Sequence, residues 1–167
     1  DADDARDDAD DAGADAALIV TPYNNKPTDK GIYEHFKKIN DEVDIPVIVY
    51  NIVGRTGKNI ETPTMVELAK LKNIIGVKEA SGSIAQMMDV INQTPEDFIV
   101  LSGDDNMTLP LIGVGGKGVI SVLSNLLPKQ MVQMVDYALE GNLEKAIKIH
   151  YDLMPLFKAE FIETNPI

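Results

Sequence analysis

From Ala16 onward, short β-branched apolar runs alternate with longer stretches of helical period, and this alternation restricts the chain to βα units built around a parallel sheet. Strands are expected at Ala17 to Thr21, Val47 to Asn51, Ile74 to Glu79, Phe98 to Ser102 and Gly118 to Val122. Each is nearly continuous in apolar residues, as strands buried on both faces should be. Helices are expected from Thr28 to about Glu42, Pro63 to Leu71, Ser83 to Gln93 and Met107 to Val114. A further helix begins at Pro128, which suits a first helical turn, and ends at Leu139 before Gly141; the last runs from Leu143 to about Phe161, bent near Pro155. The fold class is therefore α/β, either an open doubly wound sheet or part of an eight-stranded barrel. The glycine run from Gly113 to Gly118 follows a helix and opens a strand. That is the reverse of the dinucleotide fingerprint, so these glycines are read as a tight turn with close backbone approach.

A chain of 167 residues with 44% hydrophobic residues and mean hydropathy near zero has enough material for one globular core. Its net charge of −12 argues against nucleic acid and against an anionic membrane surface as partners. No apolar run approaches the roughly 20 residues of a membrane helix, and the acidic N-terminus is unlike a basic targeting peptide, which favours the cytoplasm. With no cysteine, and with His35 and His150 as the two histidines, neither thiolate chemistry nor a multi-histidine metal site is expected. Much of the acidity is local: residues 1–12 hold seven Asp and one Arg, a charge of −6, which leaves −6 for the rest. Ala2, Ala5, Ala9 and Ala12 fall at helical spacing, so 1–13 is read as an acidic surface helix with a truncated or artificial start, although Asp is a poor helix former.

Chemistry is concentrated at strand ends. Lys78 closes an otherwise apolar strand and, by alternation, shares a face with Ile74 and Gly76, surroundings that disfavour an ammonium charge. An amine with less charge at neutral pH is a nucleophile for Schiff-base formation with a ketone, and the imine then acts as an electron sink. The alternative is a lysine that snorkels to solvent. Tyr50 ends the preceding strand at the equivalent level, about 5 Å away if the two strands pair, where a phenol can relay protons. Otherwise it is a core tyrosine with a satisfied hydroxyl. Arg55, in the loop beyond, offers a bidentate fork for a carboxylate, or else is a surface arginine.

Tyr50-Asn51 with Gly54-Arg55-Thr56-Gly57, then Gly76-Val77-Lys78-Glu79-Ala80-Ser81-Gly82, then Leu101-Ser102-Gly103-Asp104-Asp105, resemble the dihydrodipicolinate synthase family in order and spacing. Val20-Thr21-Pro22-Tyr23, Gly118-Val119-Ile120-Ser121 and Glu163-Thr164-Asn165-Pro166 extend the likeness over everything after the acidic start. The resemblance implies a (β/α)8 barrel that condenses pyruvate with aspartate semialdehyde on the way to lysine, without a cofactor, as a homotetramer of tight dimers. It implies Lys78 as the Schiff-base lysine, Tyr50 as the proton-relay tyrosine and Arg55 as the group steering the semialdehyde carboxylate. Gly103 and Ile120 would line the pyruvate pocket. Asp104 and Asp105 would either order that pocket or cap the helix that follows. The lysine and tyrosine are shared with sialic acid lyases and keto-deoxy sugar aldolases, the alternative activities; Arg55 within Gly-Arg-Thr-Gly favours the synthase.

The five strands resemble the last five of the family, so 14–140 is expected to be part of a barrel and 141–167 the truncated start of its C-terminal helices. The family's threonine-bearing segment after an early strand is not among them. Asn24 stands where the family usually has a second tyrosine, and a turn role suits it. Tyr23 matches one residue of the family's lysine-inhibition site. An open five-stranded sheet exposes two edges and an apolar face, which makes a self-associating, non-catalytic scaffold the third possibility.

Overall fold

The computed structural model describes residues 13–166; the acidic helix expected at 1–13 lies, but for Gly13, outside the described residues. Five parallel strands, β1 (Ala17–Val20), β2 (Val47–Asn51), β3 (Ile74–Glu79), β4 (Ile99–Ser102) and β5 (Gly118–Val119), follow one another across the sheet in chain order. Helices α1 (Asp29–Glu42), α2 (Val53–Thr56), α3 (Thr62–Leu68), α4 (Ile84–Gln93), α5 (Thr108–Gly113), α6 (Pro128–Leu139) and α7 (Leu143–Ala159) alternate with the strands and then continue past them. The chain divides into two compact units, one ending at Val100 and the other beginning at Leu101.

In the first unit the caps account for where helices begin. Thr28 Oγ1 accepts the Gly31 amide at 3.2 Å, and Ser83 Oγ accepts the Gln86 amide at 3.2 Å, so α1 and α4 start one residue after the expected Thr28 and Ser83. α1 buries Ile32, Phe36 and Ile39 on one stripe, α3 buries Met65 and Leu68, and α4 buries Met87 and Val90. Asn73, at the start of β3, donates from its side chain to the Asn40 and Val43 carbonyls and takes the Asn40 side-chain oxygen on its amide, tying β3 to the end of α1.

The strands are less covered than expected, and β1 ends at Val20 and β4 begins at Ile99, one residue inside the expected bounds. They are not buried on both faces: Val47, Val49 and Asn51 are buried, but Ile48 and Tyr50 between them are only half-buried, and Leu18 on β1 is 43% exposed. The pairing of β2 with β3 also contains a register irregularity, in which Val47 faces Ile74 but Ile48 faces Gly76. Ile75 is the extra residue, so Ile74 falls opposite buried Val47 and leaves the face that Lys78 shares with Gly76.

In the second unit α6 and α7 pack on each other through a turn at Gly141, where φ is 79°, and Asn142 caps α7 by accepting the Lys145 amide. Leu123, Met131, Met134, Leu153 and Phe157 form one core cluster; Ile112, Ala138 and Ala146 form another. α7 runs through Pro155 to Ala159. The expected strand Gly118 to Val122 stops at Val119 because the Asp105 carboxylate accepts the amides of Val122 and Leu123 at 3.0 and 2.9 Å, starting a 3-10 turn at Leu123–Asn125. Asp105 thus caps a later turn rather than the helix beside it. In the glycine run, Gly115 has φ of 112° and a Cβ on Gly116 would lie 2.4 Å from Leu111 Cγ, as a tight turn requires.

His150 is 7% exposed, its ring lies 5.7 Å from that of Phe157, and burial holds its pKa below the ordinary histidine value. The folded chain therefore refuses a proton that the unfolded chain accepts. The stability this group contributes is intact above about pH 6.5 and is lost as pH falls through the lower folded value. Melting temperature is expected to drop between about pH 7.5 and about pH 5.5, and His150→Leu is expected to shrink that drop. Thermal melts of both proteins at the two pH values measure it.

Candidate active site

β2 and β3 place Tyr50 directly beside Lys78 in the parallel register, and the Lys78 Nζ stands 4.2 Å from the centroid of the Tyr50 ring. Both side chains are half-buried on the less covered face of the strands. The side-by-side placement expected if the two strands pair is thus present, and the ammonium lies over the phenol face in cation–π geometry.

The residues after Tyr50 were expected to be a loop and are instead a single helical turn, α2, carrying Arg55. Gly57, with φ of 66°, ends the turn, and the Thr56 hydroxyl lies 2.9 Å from the carbonyl oxygens of Ile52 and Lys58. Arg55 is exposed. In the second unit, half-buried Gly103 follows β4 inside a turn in which the Ser102 hydroxyl donates to the Asp104 carbonyl at 2.6 Å and accepts the Asp104 amide at 3.2 Å. Ile120, also half-buried, donates its amide to the Ser102 carbonyl at 3.0 Å, so Gly103 and Ile120 meet at the ends of neighbouring strands.

A second constellation was not anticipated. Asn51 and Glu79 follow Tyr50 and Lys78 in sequence, pair with each other in register, and are both fully buried on the opposite face. Asn51 Nδ2 lies 3.1 and 3.2 Å from the two Glu79 carboxylate oxygens and 2.9 Å from Asn59 Oδ1, while Asn51 Oδ1 accepts the Ile60 amide at 3.0 Å. Glu79 also accepts the Ser81 amide at 2.7 Å and Gln86 Nε2 at 3.3 Å, and Asn59 Nδ2 donates to Gln86 Oε1 at 2.8 Å. Burial pushes the Glu79 carboxyl above the ordinary carboxylate range, and hydrogen bonds from Ser81, Asn51 and Gln86 pull it part of the way back. The sequence signal was an acid one step from the lysine in an apolar strand, which alternation turns to the covered side.

Among the described residues no group of three His, Cys, Asp or Glu side chains is placed to hold a metal ion, and no helix is long and apolar enough to cross a membrane.

Across residues 1–167 the sequence matches the Dihydrodipicolinate synthetase family. It is 57% identical over 158 residues to the 4-hydroxy-tetrahydrodipicolinate synthase of Protochlamydia amoebophila, covering 93% of this chain and 53% of that protein. It is 51% identical over 158 residues to the protein of the same name from Methanosarcina barkeri, covering 94% and 54%. The crystal structure of dihydrodipicolinate synthase from Aquifex aeolicus superposes with a TM-score of 0.93 at 49% identity, over 95% of this chain and 55% of that one. The chain spans about half the length of the curated relatives it matches. Its strands and helices correspond to the C-terminal part of the barrel in those relatives. Motif, fold and similarity agree, and the chain belongs to the dihydrodipicolinate synthase family.

Proposed function

We propose that this chain carries the Schiff-base half of a lyase that condenses pyruvate with aspartate 4-semialdehyde, in the biosynthetic route to lysine. The observation that carries the reading is the 4.2 Å approach of Lys78 to the Tyr50 ring on adjacent strand ends. In this reading the Lys78 amine attacks the pyruvate ketone carbon; a C–N bond forms and water leaves. The imine then accepts the electron pair released when a methyl proton is lost, and the resulting enamine carbon bonds to the semialdehyde's aldehyde carbon. The aldehyde oxygen takes up a proton, and the amine already on the semialdehyde displaces Lys78 as the ring closes. Tyr50 is the proton relay at the imine. Arg55 offers its guanidinium to the semialdehyde carboxylate, a role suited to an exposed fork on a short turn. Gly103 and Ile120 line the pyruvate pocket. The reading also includes a cytoplasmic homo-oligomer without a cofactor, and light scattering tests its oligomeric state; one solved relative is described as a monomeric variant.

The decisive experiment is incubation with pyruvate and borohydride followed by peptide mass spectrometry. One reduced pyruvate imine on Lys78 is expected, and a chain that stays unmodified overturns the assignment. Turnover of aspartate semialdehyde against sugar acids, with Arg55→Ala harming the former alone, separates the synthase from the sugar-acid aldolases.

A further inference from the structure

Two features of the β2–β3 pair bear on how Lys78 comes to stand beside Tyr50. The first is the register irregularity at Ile75. A ladder that already contains one extra residue has a near neighbour in which the pairing is shifted by one, and a one-residue shift exchanges the faces of a strand. In that arrangement Lys78 would point into the covered side and Glu79 into the open one. The second feature is the fully buried Asn51–Glu79 pair, one residue beyond Tyr50 and Lys78 on the same two strands. Its hydrogen bonds exist only in the observed register. Asn51, the Ser81 amide and the α4 side chain Gln86 hold the carboxylate, and the Asn59–Ile60 segment in turn holds Asn51 and Gln86. A buried polar network with its groups satisfied is rigid, because any displacement leaves a desolvated group without its partner.

We propose that Glu79, held by Asn51 and Gln86, is a positioning residue that locks the β2–β3 register and thereby sets the Lys78–Tyr50 geometry for imine formation. This inference rests on the Schiff-base reading of Lys78. Glu79 touches neither Lys78 nor substrate in this role; it acts through the strand ends. Its removal should therefore slow the chemical step more than it weakens pyruvate binding.

The test is the rate of borohydride-trapped adduct formation on Lys78 as a function of pyruvate concentration, in the unsubstituted chain, Glu79→Gln, Gln86→Ala and Val90→Ala. Val90 is fully buried on α4 and lies outside the network, so Val90→Ala controls for loss of stability alone. Glu79→Gln keeps the shape but turns an amide donor toward the Ser81, Asn51 or Gln86 donors. It is expected to lower the saturating rate about 10- to 100-fold, the scale of a displacement of about 1 Å at a reacting pair. The half-saturating pyruvate concentration is expected to change by less than about twofold. Gln86→Ala, which removes one donor and leaves both strands intact, is expected to show a smaller loss of the same kind and decides the matter if Glu79→Gln does not fold. Val90→Ala is expected to trap at the unsubstituted rate. Normal saturating rates in both network variants overturn the inference while leaving Lys78 as the nucleophile, and so does a slowing in Val90→Ala that matches theirs. An unsubstituted chain that forms no adduct overturns the Schiff-base reading and this inference with it.

Discussion

Lys78→Arg is expected to abolish the pyruvate adduct while leaving the fold and melting temperature nearly unchanged. Arginine keeps a cation over the Tyr50 face, so the contact that Lys78 makes at 4.2 Å has a direct replacement. What it cannot do is lose a proton at accessible pH and attack a ketone, since a guanidinium stays charged. The substitution therefore separates the electrostatic role of the side chain from its nucleophilic one. Tyr50→Phe makes the complementary cut: the ring and its cation–π face remain and the hydroxyl goes. If the hydroxyl relays protons to and from the imine, loss of about 10²- to 10⁴-fold in turnover is expected, the usual contribution of a placed proton donor. Mass spectrometry after borohydride reduction and a condensation assay measure the two. An adduct retained in Lys78→Arg would mean that another amine does the chemistry, and an unaffected Tyr50→Phe would make the tyrosine a packing residue.

Much of this arrangement was legible before any coordinates. The bounds of β2 and β3 follow from their apolar content and flanking turns, and they agree with the structure to the residue. Because consecutive strands of a parallel sheet commonly neighbour each other, Tyr50 and Lys78 could be set side by side by position alone. The helix start at Pro128 was readable from first-turn chemistry, and the starts expected at Thr28 and Ser83 fell on the residues that cap those helices, one position early. What failed to show has a common cause. The early end of β5 depends on a carboxylate from Asp105, seventeen residues before the amide of Val122 that it holds. The Glu79 network joins by direct hydrogen bonds side chains up to 28 positions apart. The irregularity at Ile75 leaves the local apolar pattern unchanged, yet it moves Ile74 to the other face. Periodicity reports a residue's neighbours along the chain, whereas these features are set by hydrogen-bond partners brought in by the fold.

The same limit applies to the half-buried face of the strands. A run such as Val47-Ile48-Val49-Tyr50 is apolar at every position and reads as doubly buried, but here Ile48 and Tyr50 retain exposure while Val47 and Val49 have none. Composition records which surfaces are fit to be covered, and the coordinates record which of them are covered. The less covered face is also the one that holds Lys78 and Tyr50.

Gly76→Ala is expected to be the most damaging single-methyl change near the site. A Cβ built on Gly76 falls 2.4 Å from the Ile99 carbonyl oxygen and 2.9 Å from Ile99 Cβ, so the obstacle is backbone and the root of a β-branched side chain, with no rotamer able to clear it. Relief requires β3 and β4 to separate or β3 to twist. Either response strains the ladder that carries Lys78 two residues on. Overpacking of this kind costs about 1–3 kcal/mol where side chains can yield and more where they cannot. A cost of about 3 kcal/mol corresponds to a fall in melting temperature on the order of 10 °C for a chain of this size. Gly82→Ala supplies the comparison: φ there is 74°, but nothing lies within 4 Å of the added methyl, so it tests backbone strain without the clash. Strain of that sort costs about 1–2 kcal/mol, and Gly76→Ala is expected to exceed it. Thermal melts of the two variants measure the difference. A Gly76→Ala protein that melts with the unsubstituted chain would show that β3 and β4 can move apart freely, and the strand-end geometry around Lys78 would then need another source of rigidity.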